Sequence, residues 1–552
     1  MLRLLPFLLV PVVISASCAP RVERLLVGGT VHLPTGPRQA ALALAGGRIV
    51  AVVEPGDVAA WRRAAGEVVE LSGAHVYPGF TEGHGHFISF GRALESVDLT
   101  NTESFAAVVG RVRTAATTVP PGAWVLGRGW DQNDWAERNF PHHRELTAAV
   151  PDRPVLLRRV DGHAALANAV ALAAAGIDRS TPDPVGGRIL RDERGEPTGV
   201  LVDTAVDLVD RVVPTPTTAD LERWAVAASR RLAAVGVTAI HDAGTTADEL
   251  ATLRRLREEG RLGVRVYAML DGGNDTLLDA EFAAQAGSGR DGMLTVRAVK
   301  LYADGALGSR GAWLSQAYSD DPGTHGLEVT SFERLAAVVR RAAAAGFQVG
   351  IHAIGDAAVT RALDVFAREL GPGGRGLRPR IEHAQVVRPE DLARFAALGV
   401  VAAVQPTHCT SDMPWAPDRL GSDRIGWAYR WRSLVQAGAR LSLGSDVPIE
   451  SPDPRLGIWS AITRRPRSDG PLEGWNPAEA LSVAEAVAGY TTWPAWAAFE
   501  EAWRGEIRPA FAADLTILDR DLEHAAPEQV VDAAVLRTLV AGRDAYVAGG
   551  TP

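Results

Sequence analysis

The stretch Ser331-Phe332-Glu333-Arg334-Leu335-Ala336-Ala337-Val338-Val339-Arg340-Arg341-Ala342-Ala343-Ala344-Ala345, followed by Gln348-Val349-Gly350-Ile351-His352-Ala353, reads as a helix and then a strand. Leu335, Val338, Val339 and Ala342 recur at the spacing of one helix face, and the second run is short and largely apolar, as a buried strand is. The same unit repeats outward along the chain. Strand-like runs lie at 75–87, 238–242, 264–270, 296–302, 348–353, 379–383, 400–405 and 440–446, with helical patterns between most of them. Eight strands alternating with helices predict an α/β fold, a (β/α)8 TIM barrel, over residues 78–504. One connection is too long for a simple crossover. Residues from about 99 to 232 separate the first two strands and carry strand-like pieces at 124–127 and 154–159 and a helix at 164–175, so they read as an inserted subdomain.

The two ends resemble each other. Residues 21–77 hold short β-like pieces at 25–27, 41–44 and 48–53, and residues 505–552 hold others at 513–518, 535–540 and 545–547. Neither end is large enough for its own core, so together they predict a small β-sandwich domain formed by both termini. Ahead of them, Met1-Leu2-Arg3 and an apolar run to Ile14 lead into Ser15-Ala16-Ser17-Cys18. A charge, a short apolar core and small residues form a secretory signal over 1–17, and the run is too short to span a bilayer. Cys18 stands where bacterial lipoproteins carry their lipidated cysteine, although Ser15 replaces the leucine usual at that place. A plain cleaved signal and a misassigned start are the alternatives. The expected location is extracytoplasmic, periplasmic or lipid-anchored at a bacterial membrane. Cys409 is the other cysteine; with two in 552 residues there is no disulfide scaffold, and Cys409 reads as a buried thiol.

Composition narrows the function. Hydrophobic residues are 47% and charged residues 22%, as in globular proteins. The net charge of −9 gives no basic footprint for nucleic acid. The membrane enters only through the lipid, and self-association into a homo-oligomer stays open. The 57 basic residues include a single lysine, Lys300. Arginine has replaced lysine wherever a surface charge or salt bridge suffices, so the remaining lysine points to a task a guanidinium cannot perform.

The candidate chemistry sits at strand ends, where a barrel places its active site. Pro78-Gly79-Phe80-Thr81-Glu82-Gly83-His84-Gly85-His86 puts two imidazoles two residues apart, on one face of a strand. Lys300, His352, His383 and Asp446 end four further strands. A strand-end histidine is often only hydrogen-bonded, and an aspartate there often caps a helix. Five strand ends each carrying a ligand-type residue point instead to a metal, with Zn²⁺ favoured by imidazole plus carboxylate.

In this order, and with the strings Asp304-Gly305-Ala306-Leu307-Gly308-Ser309-Arg310, His352-Ala353-Ile354-Gly355-Asp356 and Glu382-His383-Ala384-Gln385, the chain resembles the amidohydrolase superfamily. Its branch of YtcJ-like proteins and N-substituted formamide deformylases is the most similar, over nearly the whole mature chain. The resemblance implies a metal-dependent hydrolase of a C–N bond. It implies that His84, His86 and Asp446 hold one ion. His352 and His383 would hold a second where two are present, and a CO2-derived carbamate on Lys300 would bridge them. Glu82 departs from the pattern, which usually has aspartate there. The divalent ion would acidify water toward about pH 7, with Asp446 accepting its proton and His352 or the metal polarising the carbonyl.

Substrate contacts are assigned to Trp130, Asp131, His163, Asp304 and Trp313, with Asp304 and Asp356 also placed to orient ligands. Trp415, Trp427, Trp431 and Trp459 join Trp313 as candidate walls of an apolar pocket, which favours a small-molecule amide that is N-substituted or aromatic. A lactone, carbamate, cyclic amide or dipeptide is the alternative substrate. A lipid-tethered binding protein without catalysis is the alternative of another class.

Overall fold

The computed structural model describes residues 22–120, 122–284, 287–288, 292–466 and 473–549. The signal segment 1–17 and Cys18 lie outside the described residues. Among the described residues, no helix is long and apolar enough to cross a membrane.

The eight apolar runs form the barrel. Its strands are β1 (Phe80–Gly85), β2 (Val237–Thr245), β3 (Arg265–Asp271), β4 (Leu294–Tyr302), β5 (Gln348–Ala353), β6 (Arg380–His383), β7 (Val401–Val404) and β8 (Arg440–Leu443). They lie side by side in sequence order, each parallel to the next. Beyond β8, Asp446 N donates to His84 O at 2.8 Å, and His86 N donates to Val447 O at 2.7 Å, which brings the last strand back to the first. This approach needs glycine: a Cβ on Gly83 would lie 2.4 Å from Leu443 O, and one on Gly444 would lie 2.3 Å from Glu82 Oε1.

The helix between β4 and β5 shows how sequence makes these elements. Ser331 caps Phe332–Ala344 by accepting a hydrogen bond from Arg334 N. Leu335, Val338, Val339 and Ala342 are then buried together against the sheet, and burying each leucine or valine contributes about 1.5–3 kcal/mol.

Two local expectations change. The run 75–87 is not one strand. His75–Pro78 pairs in the terminal sheet, β1 begins at Phe80, and the chain crosses between the two at Pro78-Gly79. Proline has no N–H for a continuing ladder. The run 164–175 is not one helix either. Ala164–Ala167 is a strand, and Asn168 then caps a short helix, Ala169–Ala174, by accepting from Ala171 N at 3.0 Å. All four strand residues are buried, so packing between neighbouring strands overrides the helical propensity of alanine.

The insertion forms a sheet of six strands between β1 and β2. The chain ends share one mixed sheet, in which Leu515–Leu518 runs antiparallel to His75–Pro78. The long strand Val22–Leu33 pairs with Ala65–Glu70 over its first half and with His75–Pro78 farther on. Alternate side chains of this sheet feed two apolar clusters, Leu26, Leu42 and Leu44 in one and Leu25, Ala41 and Ala43 in the other.

Candidate metal centre

The barrel's C-terminal mouth gathers the predicted residues from separate strands. His84 lies at the end of β1 and His383 at the end of β6. Asp446 follows β8. One ligand atom from each of these three buried residues lies within 4.8 Å of the others. His84 Nε2 and Asp446 Oδ1 are 3.4 Å apart, and both are buried without a hydrogen-bond partner. His86 Nε2 approaches the same Asp446 oxygen at 3.1 Å. The His352 and His383 ring centres are 4.4 Å apart. The tightest convergence therefore takes His84 and His383 together, whereas the resemblance divides them between two ions.

The far nitrogens of these rings are anchored. His84 Nδ1 lies 2.5 Å from Glu382 Oε2, and His383 Nδ1 lies 2.9 Å from Gln405 Oε1. Each contact selects the tautomer with hydrogen on Nδ1 and leaves Nε2 as a free lone pair, the arrangement a metal ligand needs. His352 Nε2 lies 3.4 Å from Gly305 O, which leaves Nδ1 as its free nitrogen. Burial pushes His352 and His383 well below the ordinary imidazole range, so both are neutral. Burial alone would raise the Asp446 carboxyl, but His84 and His86 hold it well below the usual carboxylate range. The neutral imidazoles of His352 and His383, an ionised carboxylate and buried atoms without partners fit a divalent metal.

Both Asp446 and His383 have left-handed backbones, with φ of 60° and 75°. Such conformations cost a non-glycine residue about 1–3 kcal/mol and persist only where the surroundings fix them. At Asp446 the fixing group is Glu82. Its carboxylate accepts from His84 N at 3.2 Å and from Ser445 N and Oγ, both at 2.7 Å. The longer acid thus ties β1 to the turn that carries Asp446.

Lys300 lies two residues before the end of β4 and is 1% exposed. Its Nζ lies 4.3 Å from the centre of the Tyr302 ring. Burial lowers the amine to about 8.

The second group of predictions divides. Asp131 and His163 line a cavity of about 1230 Å³ that also takes in His352, His383 and Asp446. Asp131 pairs with Arg159. Asp203 Oδ1 lies 2.7 Å from His163 Nδ1; burial opposes charge on that ring, but Asp203 raises it to about 9. Trp130, Asp304 and Trp313 are outside the cavity lining. Trp130 is a core residue of the insertion, stacked on Trp135, with its ring N–H donated to Leu157 O at 2.8 Å. Asp304 is fully buried and accepts from Trp313 N, Ile354 N and Gly355 N, so it fixes backbone beside His352. Trp313 packs on the barrel core under the Arg361 guanidinium. Asp356 is likewise taken up by Ser315, whose N and Oγ it accepts. Of the other tryptophans, Trp415 and Trp459 reach the cavity. Cys409 is a buried free thiol, as expected.

Several site residues went unread in the sequence. Glu382 also accepts from Arg380 Nε at 2.7 Å and Nη2 at 3.0 Å, and Arg380 reaches back to Gly83 O at 2.8 Å. All three groups are buried in the barrel. Spacing held the signal, since Arg380 and Glu382 are two apart on one strand and face the same side. His408, stacked 6.0 Å from His383 with an unpartnered Nε2, is another.

The family model described as "Amidohydrolase family" matches residues 67–546. The chain belongs to the amidohydrolase family. It is similar to the YtcJ protein of Bacillus subtilis (strain 168), at 34% identity over 87% of this chain and 90% of that one. It is also similar to the N-substituted formamide deformylase of Arthrobacter pascens, at 29% identity over 91% and 94%. Among solved structures, an uncharacterized metal-dependent hydrolase from Pyrococcus horikoshii OT3 shares 31% identity with a TM-score of 0.75, covering 92% of this chain and 99% of that one. This amidohydrolase is therefore a metal-dependent hydrolase with a buried His84/His383/Asp446 site.

Proposed function

We propose that the enzyme hydrolyses the C–N bond of a small N-substituted amide, to a carboxylic acid and an amine, using zinc. The observation that carries this reading is the convergence of His84, His383 and Asp446 beside a cavity of about 1230 Å³. That volume exceeds the roughly 300–1,000 Å³ of ordinary small-molecule sites, and Trp415 and Trp459 supply apolar wall for a bulky or aromatic substituent. The name of the Arthrobacter relative supports an amide whose nitrogen bears the substituent.

His84, His383 and Asp446 would hold the metal, with His86, His352 and carbamylated Lys300 completing one or two positions. A divalent ion held by these residues would supply Lewis acidity to the scissile carbonyl and to water. Asp446 takes the proton of the attacking water and returns it to the nitrogen as the C–N bond breaks. His163, which lines the cavity and is held by Asp203, would hydrogen-bond the substrate. Lys300 at about 8 offers more neutral amine to CO2 than an ordinary lysine does. The charge, apolar run and small residues ahead of Cys18 support a mature chain outside the cytoplasm, tethered through that cysteine.

The test is amine release from a panel of N-aryl and N-alkyl formamides and acetamides. Turnover should vanish on chelation and return with Zn²⁺. Zinc-loaded protein that releases amine from none of them refutes the substrate class.

A further inference from the structure

We propose a second zinc site, distinct from the barrel mouth, in which His32, His75, Asp521 and His524 clamp the two chain ends together. Nothing in it depends on the catalytic reading. His32 lies on Val22–Leu33, His75 begins His75–Pro78, and Asp521 and His524 belong to the loop after Leu515–Leu518. One ligand atom from each of His32, His75 and Asp521 lies within 4.8 Å of the others.

Three observations favour a metal over an ordinary polar cluster. First, His32 Nε2 faces His75 Nδ1 at 3.1 Å. Adjacent donors of a tetrahedral zinc with bonds of about 2.0–2.1 Å are about 3.3 Å apart, so the two imidazoles already stand at ligating separation. Second, burial fixes the first ring: His32 is 7% exposed, so its Nε2 is held on the side that faces His75. Third, the surroundings orient the ligands. Tyr77 stacks on the His32 ring at 3.8 Å and 18°. Its hydroxyl donates to Asp521 Oδ1 at 3.2 Å and accepts from Leu522 N at 2.8 Å. This is the outer support that metal-binding side chains receive.

His524 supplies the fourth ligand. It stands three residues after Asp521, with Nδ1 2.8 Å from Asp521 Oδ2, and its exposed ring leaves a route for the ion. Four protein ligands make a closed, structural site rather than a catalytic one. Since the ligands come from both ends of the chain, bound zinc resists separation of the terminal sheet strands.

The experiment measures zinc per chain after chelator stripping, reloading with Zn²⁺ and desalting. The full chain carrying His84→Ala and Asp446→Ala, which disables the barrel site, should retain about one zinc. Adding His75→Gln should remove it. In the otherwise native chain, His75→Gln alone should remove about one zinc and leave kcat/KM unchanged. If the catalytic reading fails, the barrel substitutions change nothing, while the His75 difference remains. His524→Gln, at an exposed position, is the second variant. It should weaken zinc binding at this site by at least about tenfold in competition with a chromophoric chelator, and it decides the matter if His75→Gln does not fold. Unchanged zinc content in His75→Gln, or unchanged affinity in His524→Gln when His75→Gln is insoluble, overturns the site.

Discussion

Replacing Glu382 by glutamine should damage the metal centre without touching a metal-facing atom. Glu382 has no exposed surface, and its two oxygens receive His84 Nδ1 at 2.5 Å and Arg380 at 2.7 and 3.0 Å. Burial alone would raise its carboxyl, but Arg380 and His84 hold it well below the usual range, so it is ionised at any working pH. Glutamine keeps an acceptor oxygen and loses the charge. Arg380 then keeps its bonds to Gly83 O and His241 Nδ1, at 2.8 and 2.9 Å, with no neighbouring negative partner in that contact. Removing one partner of a buried pair costs about 3–5 kcal/mol; the retained amide oxygen places this case near 3 kcal/mol. Unfolding entropy scales with length, so a chain of 552 residues shifts by about 1 °C per kcal/mol, and Tm should fall by about 3 °C. His84 also loses the carboxylate that orients it, and metal affinity should fall about 10–100-fold. Calorimetry and zinc titration of activity read the two effects separately. In Glu382→Gln, kcat should largely recover at saturating zinc, because Asp446 is untouched. A zinc Kd and Tm equal to those of the native protein would refute the reasoning.

Three further outcomes test the remaining roles. Asp446→Asn should keep the fold and lose about 10²–10⁴ in kcat on an amide substrate; near-native turnover removes it as the proton acceptor. Lys300→Arg should be inactive in the same assay despite keeping a cation, since a guanidinium cannot become the carbamate; for native protein stripped of metal and carbamate, reactivation by bicarbonate plus zinc should speed up as pH rises through about 8, where the buried amine becomes neutral, and a flat profile counts against the carbamate. Trp130→Phe should leave kcat/KM unchanged but cost about 1–3 kcal/mol of stability by calorimetry, because Leu157 O loses its buried donor.

The barrel was legible because its strands are short apolar runs with helical patterns between most of them, and a strand end fixes where its side chain points. That logic located His84, His86, Lys300, His352, His383 and Asp446 with no knowledge of contacts. It failed where composition carries no direction. Ala164–Ala167 reads as helix because alanine is the strongest helix former, and only packing between neighbouring strands makes it a strand. Trp130 and Trp313 lie beside motifs, but a large aromatic next to a site is as well suited to the core below it as to the cavity above it. Asp304 illustrates the same limit for charge: three backbone N–H groups take up a carboxylate that proximity alone would assign to the substrate.

The support beneath the ligands was harder to read for a geometric reason. Glu382 and His383 are consecutive, so in a regular strand they would face opposite sides, and only one could serve the site. The positive φ of His383 breaks that alternation at the strand's last residue. His383 can then turn over the mouth while Glu382 stays inside the barrel behind His84, and a single dipeptide supplies both a ligand and the anchor of another ligand. The Ser445-Asp446 pair repeats this device at the end of β8. Ser445 binds Glu82 beneath the site, and the left-handed Asp446 faces the histidines above it. The local conformational cost is offset by hydrogen bonds that hold each turn: Ser445 on Glu82 beside Asp446, and the His383 ring on Gln405. The two acids therefore shape the ligand geometry from beneath, Glu82 by holding Ser445 and His84 N, and Glu382 by holding the His84 ring, although both stand inside motifs whose ligands are histidines.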